Sequence, residues 1–437
     1  MKRLHTLCFY LLFFVLYLCG TTALWGQKPV LIDTLSLSQK KELQDKYTTQ
    51  KKEFYTVLGQ KYKSKELKEI KNYFDENYAT IEKRIEKNEL LENSPFNTYL
   101  NNLVNQIQAK NPEIPKDLTI LASREYETNA YNLGEGTIIV NQYLLETLDN
   151  EDQLVFTLCH EIAHQKMQHV LNAIYEQITL NNSKELKKKT KALKKQRYKQ
   201  KISADDLLTE LKYKKSETSR IKEMQADSLG YIYYSKLGRS PEQVARTLEN
   251  LRDSDKEKDS LLVKDYKTIF ASLKIPFKDK WFEMENFDLY HYQKNNKFNT
   301  DSLRTHPNCD IRIDMLNKID TKVKSNSIKK VVGKSPEFTQ WKESAVYQNI
   351  LNEYMMKHYG NSLYEALKQY KSTPNELLKK WIAANFKKLY EAKKSYTLNR
   401  YVSQVNVSKY TNSYNQFSSF IYNISLEDLE SISTKIK

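Results

Sequence analysis

Residues 158–164 read Leu158-Cys159-His160-Glu161-Ile162-Ala163-His164. The apolar residues Leu154, Val155, Phe156 and Leu158 lead into and through them, so the segment reads as a helix with a buried face, expected over about Asp152 to Glu176. On such a helix His160 and His164 stand at i and i+4 and share one face, where two imidazoles can converge on one Zn2+. Glu161 falls beside the ion rather than on it, where a carboxylate can take a proton from an activated water. Two histidines and a glutamate in a largely apolar helix require a reason of this kind, because polar groups are costly to bury unpaired.

A five-residue pattern also arises by chance, and a catalytic tetrahedral site needs a third protein ligand and an open position. The metzincin continuation would put Gly at 167 and His at 170; Met167 and Val170 exclude it. The other solution is a glutamate on a later helix, and Glu223-Met224-Gln225-Ala226-Asp227 supplies it. Asp227 lies one turn after Glu223, placed to orient a ligand imidazole, and small Ala226 lets two helices approach. A single helix glutamate is ordinarily solvated; its company with His160, His164 and Asp227 favours the metal. His169, five residues past His164, falls off the ligand face of a continuous helix and reads as structural. Gly333-Lys334-Ser335 lacks the glycine a phosphate loop needs at 328, where Ile328 stands, so nucleotide binding is rejected.

Four blocks follow one another: Asn129-Ala130-Tyr131 with Gly134 to Val140, His160-Glu161-x-x-His164, Glu223-x-x-Ala226-Asp227, and His306-Pro307 with Arg312-Ile313. Together, over about residues 96 to 320, they resemble the M48-type zinc metallopeptidases, the group of the CAAX-processing and HtpX-like proteases and of periplasmic and mitochondrial quality-control members. The resemblance implies a mainly α (α+β) fold: a helical gluzincin-type metalloprotease core with a small edge sheet, flanked by helical N- and C-terminal regions. It implies one Zn2+ per chain on His160, His164 and Glu223, Glu161 as general base in peptide-bond hydrolysis, and Asp227 as the supporting carboxylate. It implies a substrate-pairing edge at Asn129 and the strand from Gly136 through Thr137 and Ile138. His306 would be an oxyanion helper or a gate over the zinc, with a structural histidine as the alternative, and Arg312 would hold that segment by ion pairing. Tyr143 stands where many members carry Gly before the pair Leu144-Leu145, which bears on the shape of the cleft.

The 437 residues include 70 Lys+Arg against 54 Asp+Glu, a net charge of +16, and only 9 Gly and 9 Pro. So few turn formers exclude collagen-like and many-hairpin β architectures and favour helices, while 31 Tyr among 12% aromatics argue against wholesale disorder. Lys2 and Arg3 precede the apolar run Leu7–Cys19 and the small residues Gly20 to Ala23. This reads as a secretory signal over 1–26, because 13 apolar residues fall short of the roughly 20 that span a bilayer; an uncleaved anchor is the alternative. The expected setting is the bacterial periplasm or envelope. Of the remaining cysteines, Cys159 and Cys309 read as separate thiols rather than a disulfide.

Without Lys2 and Arg3 the charge is +14, and residues 184–222 alone carry 15 Lys+Arg against 5 Asp+Glu. The excess therefore belongs to one insertion, 183–222, expected as a hairpin of two helices about Ser203-Ala204-Asp205, followed by a separate helix from Glu223 to about Leu237. A solvated face is the plain reading of such a run. A functional one would put an anionic membrane surface or an acidic partner against it, beside the active site, rather than nucleic acid, for which no helix-turn-helix, RRM or zinc-finger pattern is present. The expected organisation is a helical region over 27–95, the peptidase domain over 96–320, and a helical accessory region over 321–437 with a TPR-like pair around Tyr364, Ala366, Tyr370, Trp381, Ala384 and Tyr390. The expected function is an exported zinc endopeptidase acting on polypeptides in envelope quality control or processing. A chaperone-like binding protein with a latent or structural zinc site is the rival.

Overall fold

Helix α1 (Leu37–Lys61) begins where Ser36 and Gln39 cap each other, the Gln39 N–H donating to Ser36 Oγ and the Ser36 N–H to Gln39 Oε1. It packs on α2 (Ser64–Glu86), whose Ile70, Phe74, Tyr78, Ile81 and Ile85 form one buried stripe. After β1 (Leu90–Leu91), the Ser94 cap and Pro95 start α3 (Pro95–Lys110). The strands β2 (Thr119–Ser123), β3 (Ala130–Asn132) and β4 (Thr137–Asn141) follow. Next come α4 (Leu144–Thr147), α5 (Glu151–Lys166), α6 (His169–Asn182), α7 (Lys184–Lys195), α8 (Gln200–Ser235) and α9 (Glu242–Arg252). The chain ends with α10 (Val263–Ser272), a short 3-10 turn (Asp279–Phe282), α11 (Cys309–Val323), α12 (Pro336–Met355), α13 (Tyr359–Ser372), α14 (Glu376–Lys394), α15 (Asn412–Asn423) and α16 (Leu426–Lys435). This computed structural model describes residues 31, 35–92, 94–195, 200–253, 261–283, 309–323, 335–406 and 410–436. The signal reading over 1–26 and His306 lie outside them. The protein is mainly helical with one small sheet, as expected.

The strand order is β1-β2-β4-β3, with β2 and β4 parallel and the outer strands antiparallel to their neighbours. Every residue of β2 and β4 is buried, as a parallel pair covered on both faces requires. This corrects the expected substrate edge. Thr137 and Ile138 lie on an interior strand, Ile138 facing Ile120 on one side and Asn132 on the other, and Gly136 lies in the turn that feeds it. On that side of the sheet the outermost strand is β3, joined to β4 through a turn that needs Gly134 (φ +93°) and Gly136 (φ +109°). A Cβ at Gly134 would also come within 2.8 Å of the Val170 side chain.

Two helix boundaries differ from expectation. The helix expected over 152–176 breaks at Gln168, a left-handed residue (φ 54°) between α5 and α6. Conversely, Ser203-Ala204-Asp205 lies inside α8, and Glu223 does not open a new helix but sits in the same 36-residue one. No glycine or proline interrupts residues 200–229, and serine and aspartate alone do not stop a helix.

The described residues form two hydrophobic cores. The first joins α1 and α2 to the sheet, α3, α5 and α8; Tyr47 of α1 donates to Thr137 Oγ1 at 3.1 Å. The second gathers α10, the 3-10 turn and α13 to α16. Leu261 to Phe282 thus pack with the C-terminal helices. Helix α12 bridges the two, with Phe338, Trp341 and Ala345 in the first and Ile350 in the second. The pair expected around Tyr364 to Tyr390 is α13 packed on α14.

A polar seam lies under α12 and α13. Tyr143 stacks on Tyr126 at 4.1 Å and donates to its hydroxyl, and Tyr126 donates to Glu365 Oε1 at 2.7 Å. Tyr143 therefore points at the C-terminal helices rather than into the cleft. Beside it, burial and then the Glu365 carboxylate push Glu146 up to about 7, against the amide of Asn349 and the cations Lys368 and Lys342. A raised folded-state pKa stabilises fully at pH below about 4.5 and ceases to do so as pH rises through about 7. Glu146→Gln should accordingly raise the urea midpoint at pH 8 and leave it near wild type at pH 4.5; an equal change at both pH values would contradict this.

Candidate metal centre

The Asn150 side chain caps α5, accepting from the Gln153 N–H, and Glu151 and Asp152 occupy its first turn, where negative charge suits the helix dipole. Arg239, just beyond α8, grips both carboxylates at 3.0 and 2.7 Å and ties the start of α5 to the end of α8. The two helices then pack at very short range. Ala226 is fully buried, and a Cβ on Gly230 would stand 3.0 Å from both Cα and N of His160. Backbone atoms cannot swing aside as side chains do. Gly230→Ala should therefore separate the helices, cost about 1–3 kcal/mol in urea unfolding and lower metal retention. Helix propensity alone would stabilise the variant by about 1 kcal/mol, so a gain would refute the contact.

This packing brings Glu223 of α8 over the two histidines of α5. The Nε2 atoms of His160 and His164 are 3.1 Å apart. Glu223 Oε1 lies 3.4 Å from His164 Nε2, and Oε2 lies 3.6 Å from His160 Nε2. One donor atom from each of the three residues falls within 4.8 Å of the others. Glu161 Oε1 is 4.0 Å from His160 Nε2, beside the three rather than among them.

Each imidazole is held from behind. His160 Nδ1 is 3.0 Å from Asp227 Oδ1, and Arg312 of α11 grips Asp227 through two 2.6 Å hydrogen bonds from Nε and Nη2. Asp227 is fully buried, and burial would raise its pKa, but Arg312 and then His160 hold it below the ordinary carboxylate value. Burial works against charge on His160 as well, yet Asp227 and Glu223 reverse the sign and lift it to about 10, so the pocket favours positive charge. Glu161 is raised by burial, against the histidines and the backbone of Asn132.

His169 is the residue that the sequence reading set aside. Because Gln168 turns the chain, its Nδ1 comes 3.0 Å from His164 Nδ1 while its Nε2 lies 3.2 Å from Gln225 Oε1. Burial and the neighbouring His164 lower it to about 4, so a neutral ring accepts from His164 Nδ1–H and donates to Gln225. That contact holds the His164 ring with Nε2 toward His160 Nε2 and Glu223. Gln225, one residue from Ala226, was likewise missed.

The three donors open into a cavity of about 520 Å³ between β3 and α9. Asn129, Ala130, Tyr131 and Asn132 line one side, whereas Gly136, Thr137 and Ile138 do not reach it. Asn129 is fixed by its carbonyl, which accepts from the Asn141 N–H at 3.0 Å. Arg312 and Cys309 also line the cavity, and Cys159 and Cys309 are both free thiols.

The model of peptidase family M48 matches residues 96–320, more than half of the chain. The chain belongs to peptidase family M48. No curated protein matches it. Membership makes it a metallopeptidase, and the matched span contains every residue of the donor cluster. In this M48 peptidase the Arg312–Asp227 pair is the ion pairing expected of Arg312, directed at the carboxylate behind a donor histidine.

Proposed function

We propose that this M48 peptidase is an exported zinc-dependent endopeptidase that cuts polypeptides in the cell envelope, in quality control or processing. The observation that carries the reading is the cluster of His160, His164 and Glu223 with Glu161 beside it. Two imidazoles and one carboxylate form a donor set of catalytic zinc sites. Two nitrogens each 2.0–2.1 Å from a tetrahedral ion stand about 3.3 Å apart, against the 3.1 Å found here. The donors present therefore fit one Zn2+ per chain.

Bound there, Zn2+ would acidify a water and polarise the scissile carbonyl. The chain's own residues supply the rest. Glu161 Oε1 takes the water proton and returns it to the leaving amine, a transfer helped by the upward shift that burial gives it. Asp227 and Arg312 hold His160, and His169 holds His164, so that both Nε2 atoms face the cavity. β3, the outer strand that lines the cavity, can pair with an extended chain and lay it across the donors, which supports cutting within a polypeptide.

Export rests on the basic, apolar and small-residue order of residues 1–26. Among the described residues no helix is long and apolar enough to cross a membrane. A membrane surface or outer-envelope protein is the proposed neighbour of the lysine-rich hairpin, and nucleic acid has no part in the reading.

The test joins metal content to turnover. Purified protein should contain one zinc by mass spectrometry and cleave unfolded casein, lose cleavage after phenanthroline treatment, and regain it with stoichiometric zinc. Tight binding of unfolded polypeptide by the zinc-loaded protein without cutting would replace this reading with the chaperone-like one.

A further inference from the structure

Strand β3 is anchored by a residue that precedes the span matched to the family. Tyr131 lines the cavity, and its hydroxyl accepts from Nη1 of Arg84, on α2, at 2.6 Å. The same guanidinium donates through Nη2 to Ser123 Oγ, at the end of β2, at 2.9 Å and to Glu125 Oε2 at 3.0 Å. The Tyr131 hydroxyl donates in turn to Glu125 Oε2 at 3.3 Å, and Glu89 Oε2 stands 3.6 Å from Arg84 Nε. The planar, charged fork thus ties the end of α2 to β2 and β3 at once. Residue 84 lies before the matched residues 96–320. Helix α1 holds the turn of the same hairpin, where Gln50 Nε2 donates to the Glu135 carbonyl at 3.3 Å.

This anchor bears on what β3 offers to the cavity. The Leu133 N–H donates to the Thr137 carbonyl and the Asn141 N–H to the Asn129 carbonyl. Bonded and non-bonded residues alternate in an antiparallel pair, so Ala130 and Asn132 turn their backbone groups away from β4. On that side β3 packs against α5, and the Asn132 N–H acts on the Glu161 carboxylate. A three-residue outer strand has only β4 beside it in the sheet, so a side-chain grip on its middle residue decides where it stands.

We propose that Arg84 is a positioning residue for peptide cleavage: by gripping Tyr131 it sets where β3 holds an extended substrate relative to His160, Glu161 and His164. The inference rests on the hydrolytic reading above. It makes the helix before the matched span a working part of the peptidase. A substrate misplaced by about 1 Å can lose about 100-fold in rate, so a small drift of β3 is enough.

The experiment is steady-state cleavage of an extended peptide by the zinc-loaded enzyme. Glu89 and Glu125 keep solvent contact, so Arg84→Met should fold and retain zinc. It should lower kcat by about 10–100-fold and change KM less. Tyr131→Phe, which removes only the hydroxyl, should lose a similar factor, and the double variant should be no slower than Arg84→Met alone. Arg84→Lys keeps one donor for the hydroxyl and should be faster than Arg84→Met. A merely structural role would lower the urea midpoint and leave kcat per folded, zinc-loaded molecule unchanged. Tyr131→Phe with wild-type kcat, or losses that multiply in the double variant, would overturn the proposal; if Glu161→Gln still abolished cleavage, the hydrolytic reading would stand without it. If the wild type cuts nothing, calorimetry on the zinc-loaded protein decides, with acetohydroxamate and a peptidyl hydroxamate long enough to pair with β3. Arg84→Met should weaken the peptidyl ligand about tenfold or more and leave acetohydroxamate unchanged. Equal effects on both, or none, would overturn the anchor.

Discussion

Replacing Glu161 by glutamine should lower kcat for peptide cleavage by about 10²–10⁴-fold while the protein keeps its metal. Glutamine has nearly the shape of glutamate but cannot accept and return a proton. The donor cluster does not include Glu161, whose nearest carboxylate oxygen is 4.0 Å from His160 Nε2. Its replacement should leave metal content and KM close to wild type, because what is lost acts on the transition state rather than on binding. Casein hydrolysis at the wild-type rate would end the general-base assignment. Loss of the metal would make Glu161 a ligand instead.

The second large effect concerns the fold and the centre together. Arg312→Met should destabilise the protein by about 3–5 kcal/mol, because Asp227, with no exposed surface, loses both hydrogen bonds of the guanidinium fork. The double variant Arg312→Met, Asp227→Leu should recover much of that stability, since a buried ion pair and an apolar pair of similar volume are often equivalent. It should not recover the metal affinity, which ought to stay 10–100-fold down, because His160 has lost the carboxylate behind Nδ1. Urea unfolding and metal competition separate the two. An Arg312→Met protein within 1 kcal/mol of wild type would show that the pair carries little, and a double variant with full metal affinity would show that Asp227 does not orient His160.

His160, His164, Glu223 and Asp227 were legible in the sequence because i and i+4 spacing on a helix states which side chains share a face. His169 was not, because its place depends on one left-handed residue, Gln168, that nothing in the local composition announces. On an unbroken helix it would point away from His164; after the break it touches it. Gly230 was also hidden, since a glycine inside a helix reads as a weakness until the opposing backbone is seen 3.0 Å away. The edge of the sheet was assigned to the wrong strand for a similar reason. The apolar run 137–141 marks a strand, but whether a strand is interior or outermost depends on what pairs with each of its sides. The second core escaped because Leu261 to Phe282 are indistinguishable by pattern from the helices before them and differ only in their partners.

The unbroken length of α8 has a mechanical meaning. A helix of 36 residues is about 54 Å long at 1.5 Å per residue. It is clamped where Ala226 and Gly230 meet α5, so that contact is a fulcrum and the basic hairpin is the long arm. A tilt of about 5° there would carry the far end at Gln200 through roughly 4 Å but shift Glu223, five residues from the fulcrum, by only about 0.6 Å. A displacement of the charged arm therefore reaches the proposed metal donor beside the pivot much reduced.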